Sequence, residues 1–443
     1  MIRRQHIAVI YGVAVLFMIP AILNGFPFLF PDSGDYLVFT PRLDRSPFYG
    51  LFIFFFHLNH FIWMPIVIQA VLISSLIWIL LDIHSVPRRT ATFTVLAIYL
   101  TCLSSLPFFV GFIMADIFTP SMFIVMYMLA FHYEKFSRLE LTVLFLLDCV
   151  ATVAHISNLT MACGILPIMA ILLAANPDKR ADIKKRLILI IIPIVLAAAA
   201  ILLFNGLIFK IWSLSPAGKT FLLGNLLSHG PALQYLKDVC PQAGYKACAY
   251  IQVLSVPNNE MIWQNVALKQ SGGYVGMNDE STIIVRETIA HYPFETLRMI
   301  AGNFLGGLME HAPAEEFHAS YQTPTMPDLI RTKFGPVAMN AFLASAEMHN
   351  TIPFALLRAI DNITTPLAFF ALTAAGVFAV ARKSYKNFVF TVIILSAVLG
   401  DTLLCTAISG IYSRYQARVT WLLPLAAFVV LASLTGSKTP AKE

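Results

Sequence analysis

The chain has 443 residues, 58% of them hydrophobic and only 12% charged, with a formal net charge of +6. Soluble globules carry roughly a quarter charged residues, so this composition, with a mean hydropathy of +0.75, excludes one and points to an all-α polytopic membrane protein. The positive excess sits between apolar runs, where it reports orientation in a bilayer and implies no nucleic-acid partner.

In chain order, the basic start Met1-Ile2-Arg3-Arg4 leads into an apolar run from Ile7 to Phe30 that no small-x-small cleavage site closes. That run is expected to remain as an anchor. Apolar stretches of spanning length are read at 7–27, 62–83, 91–110, 114–132, 139–156, 158–175, 187–209, 361–381, 387–409 and 417–435, about ten helices. The loops holding Arg3-Arg4, Arg88-Arg89, Lys135 with Arg138, Lys179 to Arg186, Arg382-Lys383-Lys386 and Lys438 with Lys442 fall on one side, which the positive-inside rule assigns to the cytoplasm. The expected organisation is an N-terminal membrane module over 1–209, an external region over 210–360 and a C-terminal membrane module over 361–443.

That orientation sends Asp32, Asp35, Asp116, His155 and Arg414 to external helix ends. Ionisable groups near hydrocarbon are costly and are kept for substrates, ions or protons. Pro31-Asp32-Ser33-Gly34-Asp35-Tyr36, ahead of Arg42, Asp44 and Arg45, reads as a shaped turn, because Pro31 and Gly34 disfavour a continued helix. The plain alternative is a solvated Asx turn. The aromatic stretch 49–61 is too short to span and reads as an interfacial helix. Asp116 interrupts two apolar runs and either faces a cavity or caps a helix. His155 either binds an anionic group or ends a helix.

In the external region, Cys240 and Cys248 fall in a polar segment and are expected to form a disulfide, with Pro241 and Gly244 letting the chain turn back. The other four cysteines, Cys102, Cys149, Cys163 and Cys405, read as small apolar-run residues. Helices are expected near 281–310, broken at Pro293, and near 336–349; the second half of the first can lie on a membrane over a lipid-facing groove. At the C-terminal corner, Arg414 and Arg418 are four apart and share a helical face, flanking Tyr415. Such a pair suits a phosphate or diphosphate clamp; the alternative is snorkelling to lipid phosphate.

An acidic motif in the first external loop, a second acid after the third span, a large external loop and an Arg-Tyr corner before the last helix together resemble the GT-C superfamily of integral membrane glycosyltransferases. Asp32 and Asp35 stand where that family has its first-loop acids, Tyr36 in the place of its aromatic, Asp116 at its second acid, and Arg414 and Arg418 at its donor-phosphate positions. Asp32 and Asp35 are separated by Ser33-Gly34, where the family usually has adjacent acids. The resemblance implies transfer of a sugar from a polyprenyl-phosphate donor to a lipid or glycan acceptor at the external face of a cell inner membrane.

In that expectation Asp32 is the base, and Asp35 or Asp116 orients the acceptor or holds a divalent cation if one is used. Arg414 and Arg418 carry the phosphate, assisted by Tyr415, Tyr36, Arg45 and His155. No metal-binding motif is present. The rival is a transporter or flippase of a lipid-linked saccharide, which calls for ionisable groups through the bilayer; Asp148 and Asp401 are the candidates, neither with an evident partner in the sequence.

Overall fold

The computed structural model describes residues 4–228, 230–251, 266–313, 317–319 and 322–436, all helices and connections except for a single β-bridge. Lys438 and Lys442 lie outside them. Eight helices are long and apolar enough to cross a membrane: His6–Asn24, Met64–Ile83, Ala115–Lys135, Ile156–Ala175, Ile183–Ile208, Phe354–Ala381, Tyr385–Ile408 and Ser413–Thr435. The chain is thus an all-α polytopic membrane protein, with two fewer long spans than expected.

Both shortfalls have identifiable causes. The stretch 91–110 breaks into Arg89–Leu103 and Leu106–Val110. Between them the Ser104 hydroxyl donates back to the Leu100 carbonyl at 2.6 Å, the Ser105 hydroxyl donates to the Ala417 carbonyl at 2.6 Å, and Pro107 has no N–H to give. The stretch 139–156 forms the 17-residue helix Arg138–Ala154. Ser137 and Glu140 fix its start reciprocally, each side chain accepting the other's backbone N–H.

Phe118–His132 runs through the middle, buried along its whole length. Its apolar surface all round is what a helix enclosed by other helices requires. It packs against Arg138–Ala154, Ile183–Ile208, Ile156–Ala175 and Tyr385–Ile408. At one end of the bundle the basic residues gather: Lys135 and Lys386 both donate to the Ile83 carbonyl at 3.1 Å, and Arg186 pairs with Asp182 at 2.6 Å and Glu134 at 3.1 Å. Beneath them His132, Tyr127, His84 and Asn387 form a buried hydrogen-bonded chain with links of 2.7–3.0 Å.

The opposite end carries the candidate site. Leaving the first span, Phe28 pairs in parallel with Phe112: the Phe28 N–H donates to the Gly111 carbonyl at 2.9 Å and the Ile113 N–H to the Phe28 carbonyl at 3.0 Å. A Cβ at position 111 would come 2.8 Å from that of Ala21, so glycine lets the two chains meet. This bridge sets residues 31–36 beside residues 113–117.

Pro31–Val38 is a short helix, not the turn that Pro31 and Gly34 suggested. Proline at the first helical position costs no hydrogen bond, and the Ser33 hydroxyl accepts the Phe30 N–H at 2.9 Å. The aromatic stretch folds as the helix Phe48–His57. Its Tyr49 ring stands edge-on to Tyr36 with centroids 4.9 Å apart.

The region between the seventh and eighth expected spans has a small core of its own, including Leu223, Leu226, Leu236, Met277 and Ile284. Cys240 and Cys248 are disulfide-bonded, with an S–S distance of 1.98 Å. Helices Gly273–His291 and Pro293–Gly307 flank the break at Pro293, and the helix expected near 336–349 is the shorter Pro336–Leu343, followed by turns. The Asn225 amide anchors this region to the site end of Tyr385–Ile408, donating to the carbonyls of Thr406 at 3.0 Å and Ala407 at 2.8 Å. A further strap crosses the start of the first loop: the Ala346 N–H donates to the Asn24 carbonyl at 3.0 Å, and the Glu347 N–H to the Asn24 side chain at 2.7 Å.

Candidate functional site

Two ionic clusters meet at this end of the bundle. The outer one belongs to the first loop. Arg45 Nη1 lies 2.8 Å from an Asp32 carboxylate oxygen and 2.9 Å from one of Asp35, while its Nη2 donates to Asp44 at 3.2 Å. Arg42 lies 3.2 Å from Asp44 and 3.8 Å from Asp35. Nη1 of Arg45 makes no well-aligned hydrogen bond, so its hold on Asp32 and Asp35 is a charge contact midway between them.

Burial and charge compete across this cluster. Burial pushes the Asp44 carboxyl up, but the guanidiniums of Arg45 and Arg42 outweigh it and hold it below the usual carboxylate range. For Asp35 burial wins over the same two cations and its carboxyl is raised. Burial disfavours the charged Arg45, yet Asp32 and Asp44 raise it further above its ordinary value. With three carboxylates against two guanidiniums, the cluster keeps one negative charge when all are ionised. Asp32 and Asp35 remain partly exposed, with 23% and 25% of their side-chain surface open.

The inner cluster is closed. Arg418, with no exposed side-chain surface, reaches Asp401 at 2.6 Å through Nη2 and Asp116 at 3.4 Å through Nη1. Its Nη2 also approaches the Ser157 hydroxyl at 3.3 Å and the Cys405 thiol at 3.3 Å. Asp116 lies in a 3-10 turn, Ala115–Ile117, and its side chain caps no helix. His155 does end one helix and begin the next: its Nδ1 accepts the Ser157 N–H at 3.2 Å.

Three side chains join the clusters. The Tyr36 phenol is buried, which raises its pKa, and the charges acting on it are those of Asp32, Arg45, Asp116 and Arg414 together. His155 feels Arg418, Asp116, Arg414 and Arg45. Arg414 lies over the Phe30 ring at 4.5 Å and the Tyr415 ring at 5.2 Å, so two aromatic faces hold its planar head. Acids from the first loop and from the segment after residue 110 therefore share one locality with the arginine corner.

The arrangement alters two expectations. Arg414 and Arg418 share the Tyr415 ring, at 5.2 and 5.3 Å, but Arg418 is buried with its charge matched by two carboxylates, while Arg414 also lies over Phe30 of the first loop. Nor is Asp401 without a partner, since Arg418 grips it; a pair between helices gives no spacing signal in sequence. Asp148 is buried on Arg138–Ala154 with neither carboxylate oxygen hydrogen-bonded.

The sequence reading also missed Glu347. This fully buried carboxyl accepts the Gln322 amide at 2.9 Å and the Leu29 N–H at 3.4 Å, bracing the chain just before Phe30 and Asp32. Burial raises its pKa to about 8. The one signal in sequence was an isolated acid in an otherwise apolar and small-residue stretch. No group of three or more His, Cys, Asp or Glu among the described residues is set to hold a metal ion. Compared with known proteins, the chain matches no family model, no curated protein and no solved structure.

Proposed function

We propose that the protein is a membrane glycosyltransferase of the GT-C kind. It would move a sugar from a polyprenyl-phosphate carrier to a lipid or glycan acceptor at the membrane face where the two clusters meet. The observation that carries this reading is the convergence on Tyr36 of two acids, Asp32 and Asp116, and two cations, Arg45 and Arg414, from segments far apart in sequence. Inverting transfer needs a base for the acceptor hydroxyl and positive charge at the departing phosphate.

In this reading Asp32 is the base: it is partly open and lies on the first-loop helix, whereas Asp116 is sealed against Arg418. The acceptor oxygen attacks the anomeric carbon, its proton passes to Asp32, and the bond from that carbon to the phosphate oxygen breaks. The electron pair leaves on the polyprenyl phosphate. Arg414 receives that charge, its fork oriented by Phe30 and Tyr415. Asp116 and Asp401 hold Arg418 so that the helix bearing Arg414 is fixed in place. Arg45, bridging Asp32 and Asp35, holds the base aimed until the acceptor enters.

The transporter reading calls for ionisable groups in series across the bilayer. The ionic contacts instead concentrate at the two ends, and Asp148 stands between them without a partner. Membranes carrying the protein, supplied with radiolabelled polyprenyl-phosphate sugars, should transfer label to a lipid or glycan fraction, and Asp32→Asn should not. Label that crosses the membrane still attached to its carrier would support the transporter instead.

A further inference from the structure

Helix Pro293–Gly307 is built inside out. The face it turns to the protein carries Thr296, Met299, Asn303 and Gly307, all buried. The face it turns away carries Phe294, Leu297 and Leu305, exposed by 81%, 63% and 62%, with Met309 just beyond at 71%. Residues 294, 297, 301 and 305 recur at helical spacing, so this is one continuous stripe. Arg298 and Glu310 bracket eleven residues without a charge. In water such a stripe would be unstable, and apolar patches of this kind mark a surface that something covers.

The helix's seat says what covers it. It packs along the end of Tyr385–Ile408, a span. Asn303 reaches toward the Thr406 carbonyl at 3.4 Å. A Cβ on Gly307 would lie 2.5 Å from a Thr406 methyl and 3.1 Å from a Thr402 methyl, so glycine brings this helix directly against the span. Thr402 is six residues inside the span's end, about 9 Å along the helix axis. Leu403 on the same span is exposed, and so is Ile411 beside Gly306. The stripe is therefore continuous with surface that faces hydrocarbon.

We propose that Pro293–Gly307 is a membrane-embedded element, lying obliquely in one leaflet with Leu305 and Met309 among the acyl chains and Glu295 and Arg298 at the headgroups. Interfacial helices of this kind sink about 5–10 Å, which agrees with contact at Thr402. Such a helix ties the region around the disulfide to the bilayer. Its end also rests against Gln416, between Arg414 and Arg418, with the Gln416 amide 3.4 Å from the Gly307 Cβ position. The inference holds whether or not the sugar-transfer reading does.

Nitroxide labels at Leu305→Cys and Met309→Cys test it. The full chain would carry Cys102→Ala, Cys149→Ala and Cys163→Ala, the disulfide intact, and be reconstituted in phosphatidylcholine and phosphatidylglycerol vesicles. Arg286→Cys, on the preceding helix, is the water-facing reference. Collision with oxygen should exceed collision with a water-soluble nickel chelate several-fold at 305 and 309, and the order should reverse at 286. A 305 label that meets the nickel chelate as freely as 286 would overturn the proposal. So would a label shielded from both reagents, which would mean that a protein partner or a second copy covers the stripe. Monodisperse elution of each variant shows that it has folded.

Discussion

Arg418 Nη2 lies 2.6 Å from an Asp401 carboxylate oxygen, joining the last span to its predecessor where both are fully buried. With Asp116 at 3.4 Å, one guanidinium serves two acids and ties together three separate parts of the chain. A buried ion pair is expensive to assemble, but more expensive to break on one side, because an unpaired charge remains in apolar surroundings.

Arg418→Ala should therefore lower stability by roughly 3–5 kcal/mol, read as a drop in thermal midpoint in detergent. The double variant Arg418→Ala with Asp401→Asn should recover part of that loss, since it removes a stranded carboxylate. If the two losses simply add, the pair is not coupled and Arg418 is not the tie described here.

Arg414 behaves differently, because its guanidinium lies over two aromatic rings, one of them Phe30 at the first loop. Arg414→Lys should leave protein level near normal yet lower transfer by roughly a hundredfold, the cost of one preorganised donor aimed at developing charge. An ammonium keeps the charge but not the fork. Full activity in Arg414→Lys would show that charge alone suffices and that Arg414 does not grip phosphate as a fork.

The acidic motif and the arginine corner were visible in sequence because each is a short run of polar residues at the edge of an apolar one. Their meeting was visible only as far as loop alternation put Asp32, Asp116 and Arg414 on one face. What could not be read is which helices touch. Asp401 looked partnerless because its partner is on another helix, and the stretch 91–110 looked like one span because a hydroxyl bond from Ser105 to the Ala417 carbonyl is a tertiary event. The burial of Arg418 was hidden for the same reason: its four-residue spacing from Arg414 says they share a helical face, but not that Asp401 and Asp116 from other segments close over one of them.

Glu347 gives a pH test with a definite sign. Its folded-state pKa is about 8, above the ordinary 4.5, with burial the cause. The folded protein thus binds this proton more tightly than the unfolded chain does, and stability falls as pH rises from about 4.5 toward 8. Glu347→Gln keeps an acceptor for the Leu29 N–H and cannot ionise. The variant should match wild type near pH 5 and be the more stable of the two near pH 8.5, by chemical denaturation in detergent. Equal pH dependence in the two proteins would show that Glu347 does not carry this linkage.

The Cys240–Cys248 bond closes a short loop, so it should contribute about 2–3 kcal/mol to the region it staples. Without reductant, alkylation followed by mass spectrometry should leave both residues unmodified. After reduction both should be labelled, and the region 231–250 should exchange amide hydrogens faster. Labelling of both in untreated protein would contradict the bond.

The account turns on Asp32 as the base. The most direct measurement is single-turnover transfer from a radiolabelled polyprenyl-phosphate sugar by reconstituted wild type and Asp32→Asn at matched protein level, with donor binding measured alongside. The account expects donor binding within a few-fold of wild type and transfer reduced by roughly 10²–10⁴, the usual contribution of a general base. Transfer by Asp32→Asn at the wild-type rate would contradict the mechanism.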